Sequence, residues 1–382
     1  MPKRSLVIGF NGHFVIRKLL DTVLMDDFEP LPIDLLRHGP ITESSPADVG
    51  FYADIPRLPR GVRDFYLPPF LDNYNSAAVE TADGETIPLN RFLAGYEKIG
   101  ILSINPDNAH LVVYLSKHFE QHQLCILCTD DEIIRRYNYF SRINAFPETK
   151  DESRQKFLFP PIVEEAFESM KRFVIPEQPW KSMLSLERES DLEVIPQLLP
   201  LKNKIFNKRH ELPPISKSTY TLQFYPKPSL SRDVFQSSLE SFIQGWKSDI
   251  PLRIITFRND IFGAHVVFGR DLRCYPYPIS EHEYHRIIAS CNGMVITPRG
   301  GFTTIRDAIR YGLDIFADTQ GFSPNRVQLT KEFGVQLEAS GSGVQVNDGY
   351  ATDPAVKQQN QTAMAAADSK CIQWFRKEFG LC

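Results

Sequence analysis

Two rhythms of apolar residues alternate along this chain. SLVIGF, at 5–10, is a nearly unbroken apolar run, and after a Gly-His turn FVIRKLLDTVL sets Val15, Leu19, Leu20 and Leu24 at helical spacing. A cleaner unit follows. KIGILSI (98–104) reads as a buried strand, NPDN (105–108) as a turn, AHLVVYLSKHFEQH (109–122) as an amphipathic helix and QLCILCT (123–129) as a second strand. Such a unit crosses over right-handedly and makes a parallel pair. The same grammar restarts at Ser218. TYTLQFYP, PLRIITF, AHVVF, GMVIT and LDIFAD read as strands, and VFQSSLESFIQGW, SEHEYHRIIASC, TTIRDAIRYG and NRVQLTKEFG as helices. Strands alternating with helices of this length imply parallel sheets covered on both faces.

Between these patterned stretches the chain is punctuated by proline. Residues 28–90 hold PLPID, PRLPRGV and YLPPFL, which predicts an extended, loop-rich insertion. Residues 150–215 are polar and Pro-interrupted, and the domain boundary is placed near 175–215. The tail stays polar to about Ser369 and then becomes an amphipathic helix, CIQWFRKEF. The expected architecture is α/β: two Rossmann-like, doubly wound domains facing a cleft. Residues 1–190, with the Pro-rich insertion at 28–90, form the first. Residues 191–360 form the second, and a C-terminal helix within 361–382 packs back on the first.

At 382 residues the chain has room for two cores of ordinary size. A hydrophobic share of 42% with 24% charged residues excludes a disordered chain. The formal charge of -4 supplies no general attraction to nucleic acid or an anionic membrane. No apolar run approaches the roughly 20 residues of a membrane-spanning helix, and Gly9, Asn11, Gly12 and His13 interrupt the opening apolar stretch where a signal peptide would continue. The chain is read as cytoplasmic. Of six cysteines only Cys125 and Cys128 are close, and both fall within an expected strand. That makes them buried hydrophobes rather than a redox pair opening a helix.

The stretch CNGMVITPRGGFTTIRDAIRYGLDIFAD, Cys291 to Asp318, carries the candidate chemistry. PRGG follows the carboxyl end of an expected parallel strand, where ligands of such folds bind. Gly300 and Gly301 let the backbone approach a ligand closely. The next helix buries Ile305, Ala308 and Ile309 and stops at Gly312. Its first turn leaves the amides of Phe302, Thr303 and Thr304 without helical acceptors, and with the helix dipole they make an anion site. Arg299 adds a guanidinium whose fork matches phosphate oxygens. The spacing is neither a GxGxxG nor a Walker loop.

This stretch resembles the C-terminal domain of GT-B fold glycosyltransferases, which use nucleotide-activated sugars. In that family a strand ends in a small Gly-containing loop, and the following helix carries an acidic residue, then Ala or Gly, then Gly five positions beyond the acid. Asp307, Ala308 and Gly312 match that pattern. The resemblance implies that Asp307 holds the ribose hydroxyls and that Arg299 stands at the family's phosphate-binding loop position. It makes Gly301 the loop glycine, puts Thr303 and Thr304 against the α-phosphate, and puts Gln320 on the sugar hydroxyls. Tyr275 and Tyr277, in YPYP, fall where the family covers the nucleobase with an aromatic ring. Departures are visible: Asp stands for Glu, Arg for His, Thr319 for an acid before Gln320, and Gln320 to Asn325 is two residues longer than the common spacing. The resemblance covers roughly 218–340, and over 1–150 it rests mainly on the GFNGH turn.

Glycosyl transfer needs the leaving diphosphate stabilised, and inversion needs a base. Arg299 and the helix start would serve the first without a metal or other cofactor. His13, in the turn after the first strand, is the expected base, with Asp107 as its supporting acid. An imidazole pKa near about 6.5 suits that work. TDDE at 129–132 could imitate a metal-binding acidic motif, but acidic residues ending a strand are ordinary in α/β turns. His118, His122, His282 and His285 are expected on solvated helix ends. Arg57, Arg60 and Arg63 line the expected acceptor side, either meeting an anionic acceptor or serving solubility. The predicted activity is transfer of a sugar from a nucleotide diphosphate donor, UDP-linked for preference, to a hydroxyl or similar acceptor. The acceptor, whether small molecule, glycan, protein or modified nucleic acid, stays unidentified. A UDP-sugar 2-epimerase of the same fold and a non-catalytic nucleotide-sugar-binding protein remain alternatives.

Overall fold

A computed structural model describes residues 4–9, 33–37, 61–68, 71, 73–102, 104, 108–127, 161–176, 192–195, 218–225, 232–246, 249–256, 266–267, 270–274, 281–296, 307–318, 336–338 and 354–380. The chain divides into two compact units. One comprises Met1–Asp48, Ile55–Lys202 and Ala367–Cys382, and the other Val49–Asp54 and Asn203–Ala366.

The first unit is built on nine strands: β1 Arg4–Ile8, β2 Ile33–Arg37, β3 Arg63–Tyr66, β4 Ala78–Thr81, β5 Thr86–Pro88, β6 Tyr96–Leu102, β7 Leu124–Leu127, β8 Phe173–Pro176 and β9 Leu192–Ile195. Their order is β5-β4-β3-β2-β1-β6-β7-β8-β9. Only the β3–β4 and β4–β5 pairs are antiparallel. Helices α1 (Leu89–Leu93), α2 (Ala109–His118) and α3 (Pro161–Ser169) connect them. β1, β2 and β7 are buried nearly throughout, as strands covered on both faces must be.

Two charged residues sit inside that apolar sheet, and each is answered. Asp34, fully buried on β2, accepts from Arg4 Nη2 at 2.6 Å, Arg63 Nη2 at 2.5 Å and Tyr96 Oη at 2.6 Å. Arg4, Arg63 and Tyr96 each open their strand, so this clamp closes the amino end of the sheet. Arg63, one of the arginines expected on the acceptor side, gives Nε and Nη2 to Asp34 while its side chain stays 56% exposed. Arg57 and Arg60 lie outside the described residues. Arg37, at the carboxyl end of β2, pairs with Asp64 and donates to Tyr66 Oη at 3.1 Å.

The second unit holds β10 Tyr220–Tyr225, β11 Leu252–Thr256, β12 Val266–Val267, β13 Arg270–Cys274, β14 Gly293–Ile296, β15 Asp314–Asp318 and β16 Gln336–Glu338, in the order β12-β13-β11-β10-β14-β15-β16. All pairs are parallel except β12–β13. Its helices are α4 (Arg232–Gly245), α5 (Glu281–Ala289) and the first part of α6 (Pro354–Glu378). Leu222 and Phe224 of β10 join Leu239, Phe242, Ile243 and Trp246 in one apolar cluster, which fixes α4 on that face of the sheet.

Three sequence expectations need correction. The Pro-rich stretch is no mere loop: β2, β3, β4 and β5 lie within it and widen the first sheet. Pro88 ends an edge strand, where a missing N–H costs little. Residues 150–215, read as irregular, contribute α3, β8 and β9. The C-terminal helix begins at Pro354 rather than near 370, because VKQQNQTAMAAADSK lacks an apolar stripe yet consists largely of strong helix formers.

Candidate functional site

In each sheet the strand order reverses beside the unit's first strand. In the second unit the chain moves from β10 to β11 on one side, and β14 and β15 lie on the other. In the first unit the reversal lies between β1 and β6. In doubly wound sheets the crevice outside the carboxyl ends of the strands flanking this point receives the ligand.

The sequence candidates follow strand ends along the chain, some of them at the switch point and others beside it. β14 ends at Ile296, and Arg299, Gly300, Gly301, Phe302, Thr303 and Thr304 come next. Gln320 follows the end of β15 at Asp318, and Tyr275 and Tyr277 follow the end of β13 at Cys274. In the first unit β1 ends at Ile8, five residues before His13, and β6 ends at Leu102, with Asp107 two residues before α2. All eleven lie outside the described residues, as do Cys128 and the acidic run 129–132.

Asp307 is described. It stands in a helical stretch described over 307–310 and is 2% exposed. Its Oδ1 accepts from Arg310 Nη1 at 3.2 Å, an i,i+3 pair whose two side chains are both nearly sealed from water. The helix ends in a Schellman motif. Gly312 has φ +66°, its N–H donates to the Ile309 carbonyl at 3.0 Å, and the Leu313 N–H donates to the Ala308 carbonyl at 3.0 Å. From α6, Gln361 Nε2 donates to the Arg310 carbonyl at 2.8 Å, satisfying an acceptor the helix end leaves open. Lys357 pairs with Asp314 at 2.6 Å, and Tyr220 Oη donates to the same carboxylate at 2.6 Å. The segment bearing Asp307 is thus fastened at its C-terminal end by its own glycine and by the last helix of the chain.

The sequence reading missed Arg310. Its i,i+3 spacing from Asp307 was the available signal. His285 also needs correction. It is fully buried, with its ring 5.3 Å from Tyr284 and 5.9 Å from Tyr311, because it shares the inward face of α5 with Tyr284 and Ile288. His122 is exposed beside Glu120, and His118 lies against the Tyr114 ring at 4.3 Å. Cys125 and Cys291 are unpaired and buried, and burial pushes each thiol up to about 12. Among the described residues no group of three His, Cys, Asp or Glu side chains could hold a metal, and no helix is long and apolar enough to cross a membrane.

No protein-family model matches the chain, and no curated protein sequence matches it. Solved structures do. A kitacinnamycin glycotransferase superposes with TM-score 0.56 at 11% identity over 99% of both chains. Phytolacca americana UGT2, complexed with UDP-2fluoro-glucose and pterostilbene, superposes with TM-score 0.55 at 11% identity over 98% of this chain and 99% of that one. The calicheamicin glycosyltransferase CalG4 gives 0.52 at 10% identity over 100% of this chain and 99% of its own. The fold is that of the GT-B glycosyltransferases. At such identities the likeness carries the architecture, and it places this chain's two sheets among the doubly wound folds described above.

Proposed function

We propose that this protein is a glycosyltransferase that takes a sugar from a nucleotide diphosphate donor, UDP-linked for preference, and passes it to a hydroxyl-bearing acceptor. One observation supports this most directly: an acidic residue, Asp307, stands on a glycine-terminated helix that follows the switch-point strand β14 and the PRGG sequence along the chain. Asp307 would accept hydrogen bonds from the ribose hydroxyls. Arg299 and the amides of Phe302, Thr303 and Thr304 would bind the diphosphate and stabilise it as it leaves. Gln320 would meet the sugar, and Tyr275 or Tyr277 the base. His13, oriented by Asp107, would take the acceptor's proton, a role that needs no metal or other cofactor. A glycosyltransferase of the same fold, the Phytolacca enzyme, was solved with UDP-2fluoro-glucose bound.

Titrating UDP and a panel of UDP-sugars against the melting temperature tests the reading, because a donor bound at 100 times its Kd stabilises the native state by about 2.7 kcal/mol. Arg299→Ala and Asp307→Ala should each abolish the shift while the circular dichroism stays native. Retention of the full shift in both variants overturns the assignment. Release of UDP in the presence of an acceptor library, lost in His13→Ala, separates a transferase from a binding protein.

A further inference from the structure

The Asp307–Arg310 pair has a feature that stability does not account for. Both side chains are at most 4% exposed. Withdrawing two charges from water costs several kcal/mol per ion, and apolar residues of the same volume would serve the fold as well or better. A buried pair at this position therefore calls for another reason. Among the described residues the carboxylate is engaged at Oδ1 alone, by Arg310 Nη1 at 3.2 Å. Its other oxygen keeps its lone pairs for a further donor. The backbone that carries the guanidinium is itself held from behind. Gln361 fixes the Arg310 carbonyl at 2.8 Å, and the Schellman turn at Gly312 fixes the end of the helix. A Cβ at Gly312 would come within 2.9 Å of Gln361 Nε2, so the two devices are fitted to each other.

We infer that Arg310 is a positioning residue for the donor's ribose: it grips one oxygen of Asp307 at 3.2 Å, fixes the plane of the carboxylate, and so presents the other oxygen to vicinal hydroxyls. This rests on the nucleotide-sugar reading above and adds to it the residue that sets ribose discrimination. A planar guanidinium suits this task because its N–H groups are fixed relative to one another, whereas a lysine ammonium is a mobile point charge. The consequence is selective. Loss of the grip weakens the recognition of hydroxyls, and it leaves the diphosphate and base contacts untouched.

Affinities of UDP and 2′,3′-dideoxy-UDP measured by calorimetry on the full-length protein test this, using wild type, Arg310→Met and Arg310→Lys. Wild type should prefer UDP by about tenfold or more, the worth of one hydrogen bond to a charged group. Arg310→Met should bring the two ligands to nearly equal affinity while dideoxy-UDP binds as it does to wild type. Arg310→Lys, which keeps the positive charge beside Asp307 but lacks the fixed fork, should fall between them. A structural role would lower both affinities by the same factor and preserve the ratio, and that result overturns the inference. So does a ratio unchanged in the lysine variant. Wild-type protein that binds neither nucleotide removes the functional reading itself, and the inference with it.

Discussion

Asp34 shows how a single residue governs the first unit. Burial pushes its carboxyl up, but hydrogen bonds from Arg63, Arg4 and Tyr96 outweigh that and hold it below the ordinary carboxylate value. A depressed folded pKa means stability that is present above the unfolded value of about 3.9 and lost as the pH falls through the folded one. Urea midpoints should hold steady from neutrality down to about pH 4 and then drop. Asp34→Asn should flatten that acid limb and, by weakening the hydrogen bonds from Arg4 and Arg63, cost about 1–3 kcal/mol at neutral pH. Equal acid sensitivity in the variant would move the cause elsewhere. Gly312 makes a second residue-scale case. At φ +66°, with Gln361 close behind it, Gly312→Ala should cost about 1–2 kcal/mol in chemical denaturation. The glycine was legible, because a stop after an i, i+3, i+4 stripe is a local signal. Asp34's partners were not, since Arg63 and Tyr96 are brought to it by strand order.

Among elements, those with a clear period were read correctly. β1, β6, β7, α2, β10, α4, β11, α5, β14 and β15 all fall where apolar rhythm placed them, because burial on two faces leaves a local mark on the sequence. β3, β4, β5, β8 and β9 are three or four residues long, too short to show alternation between prolines. α6 was half read, and its two halves hold by different means. Cys371, Phe375 and Phe379 enter the apolar cluster of the first unit with Val7, Leu35 and Leu127, while Glu378 takes Arg172 at 2.6 Å and Lys98 at 3.3 Å. The Phe375 ring is 3% exposed and stacks on Phe379 at 5.8 Å. Phe375→Ala should therefore cost about 3–5 kcal/mol, measured by urea denaturation. A loss below about 1 kcal/mol would mean that the end of the helix is not part of the core.

For the whole molecule, the strand orders explain why the candidate site could be anticipated at all. Ligand-bearing loops of such sheets follow the carboxyl ends of strands, so a sequence that reveals its strands marks the stretches where a ligand is expected; Arg299, Gln320, His13 and Asp107 rest on that rule and the family likeness together, and all four lie outside the described residues. The link from Gln361 to Arg310 was hidden, since 51 residues separate them and a polar helix gives no sign of which carbonyl it will cap. Each unit draws on its own stretch of α6, Pro354–Ala366 in the second and Ala367 onward in the first. Two truncations should therefore act differently under native-state hydrogen exchange, which reads opening segment by segment. A chain ending at Ala366 loses Cys371, Phe375 and Phe379, and protection in β1, β6 and β7 should fall while β10, β14 and β15 keep theirs. A chain ending at residue 353 also loses Lys357 and Gln361, so protection should fall in β15 and in residues 307–312 as well. Collapse of β10 and β14 protection in the longer truncation would show that the second unit does not stand on its own contacts.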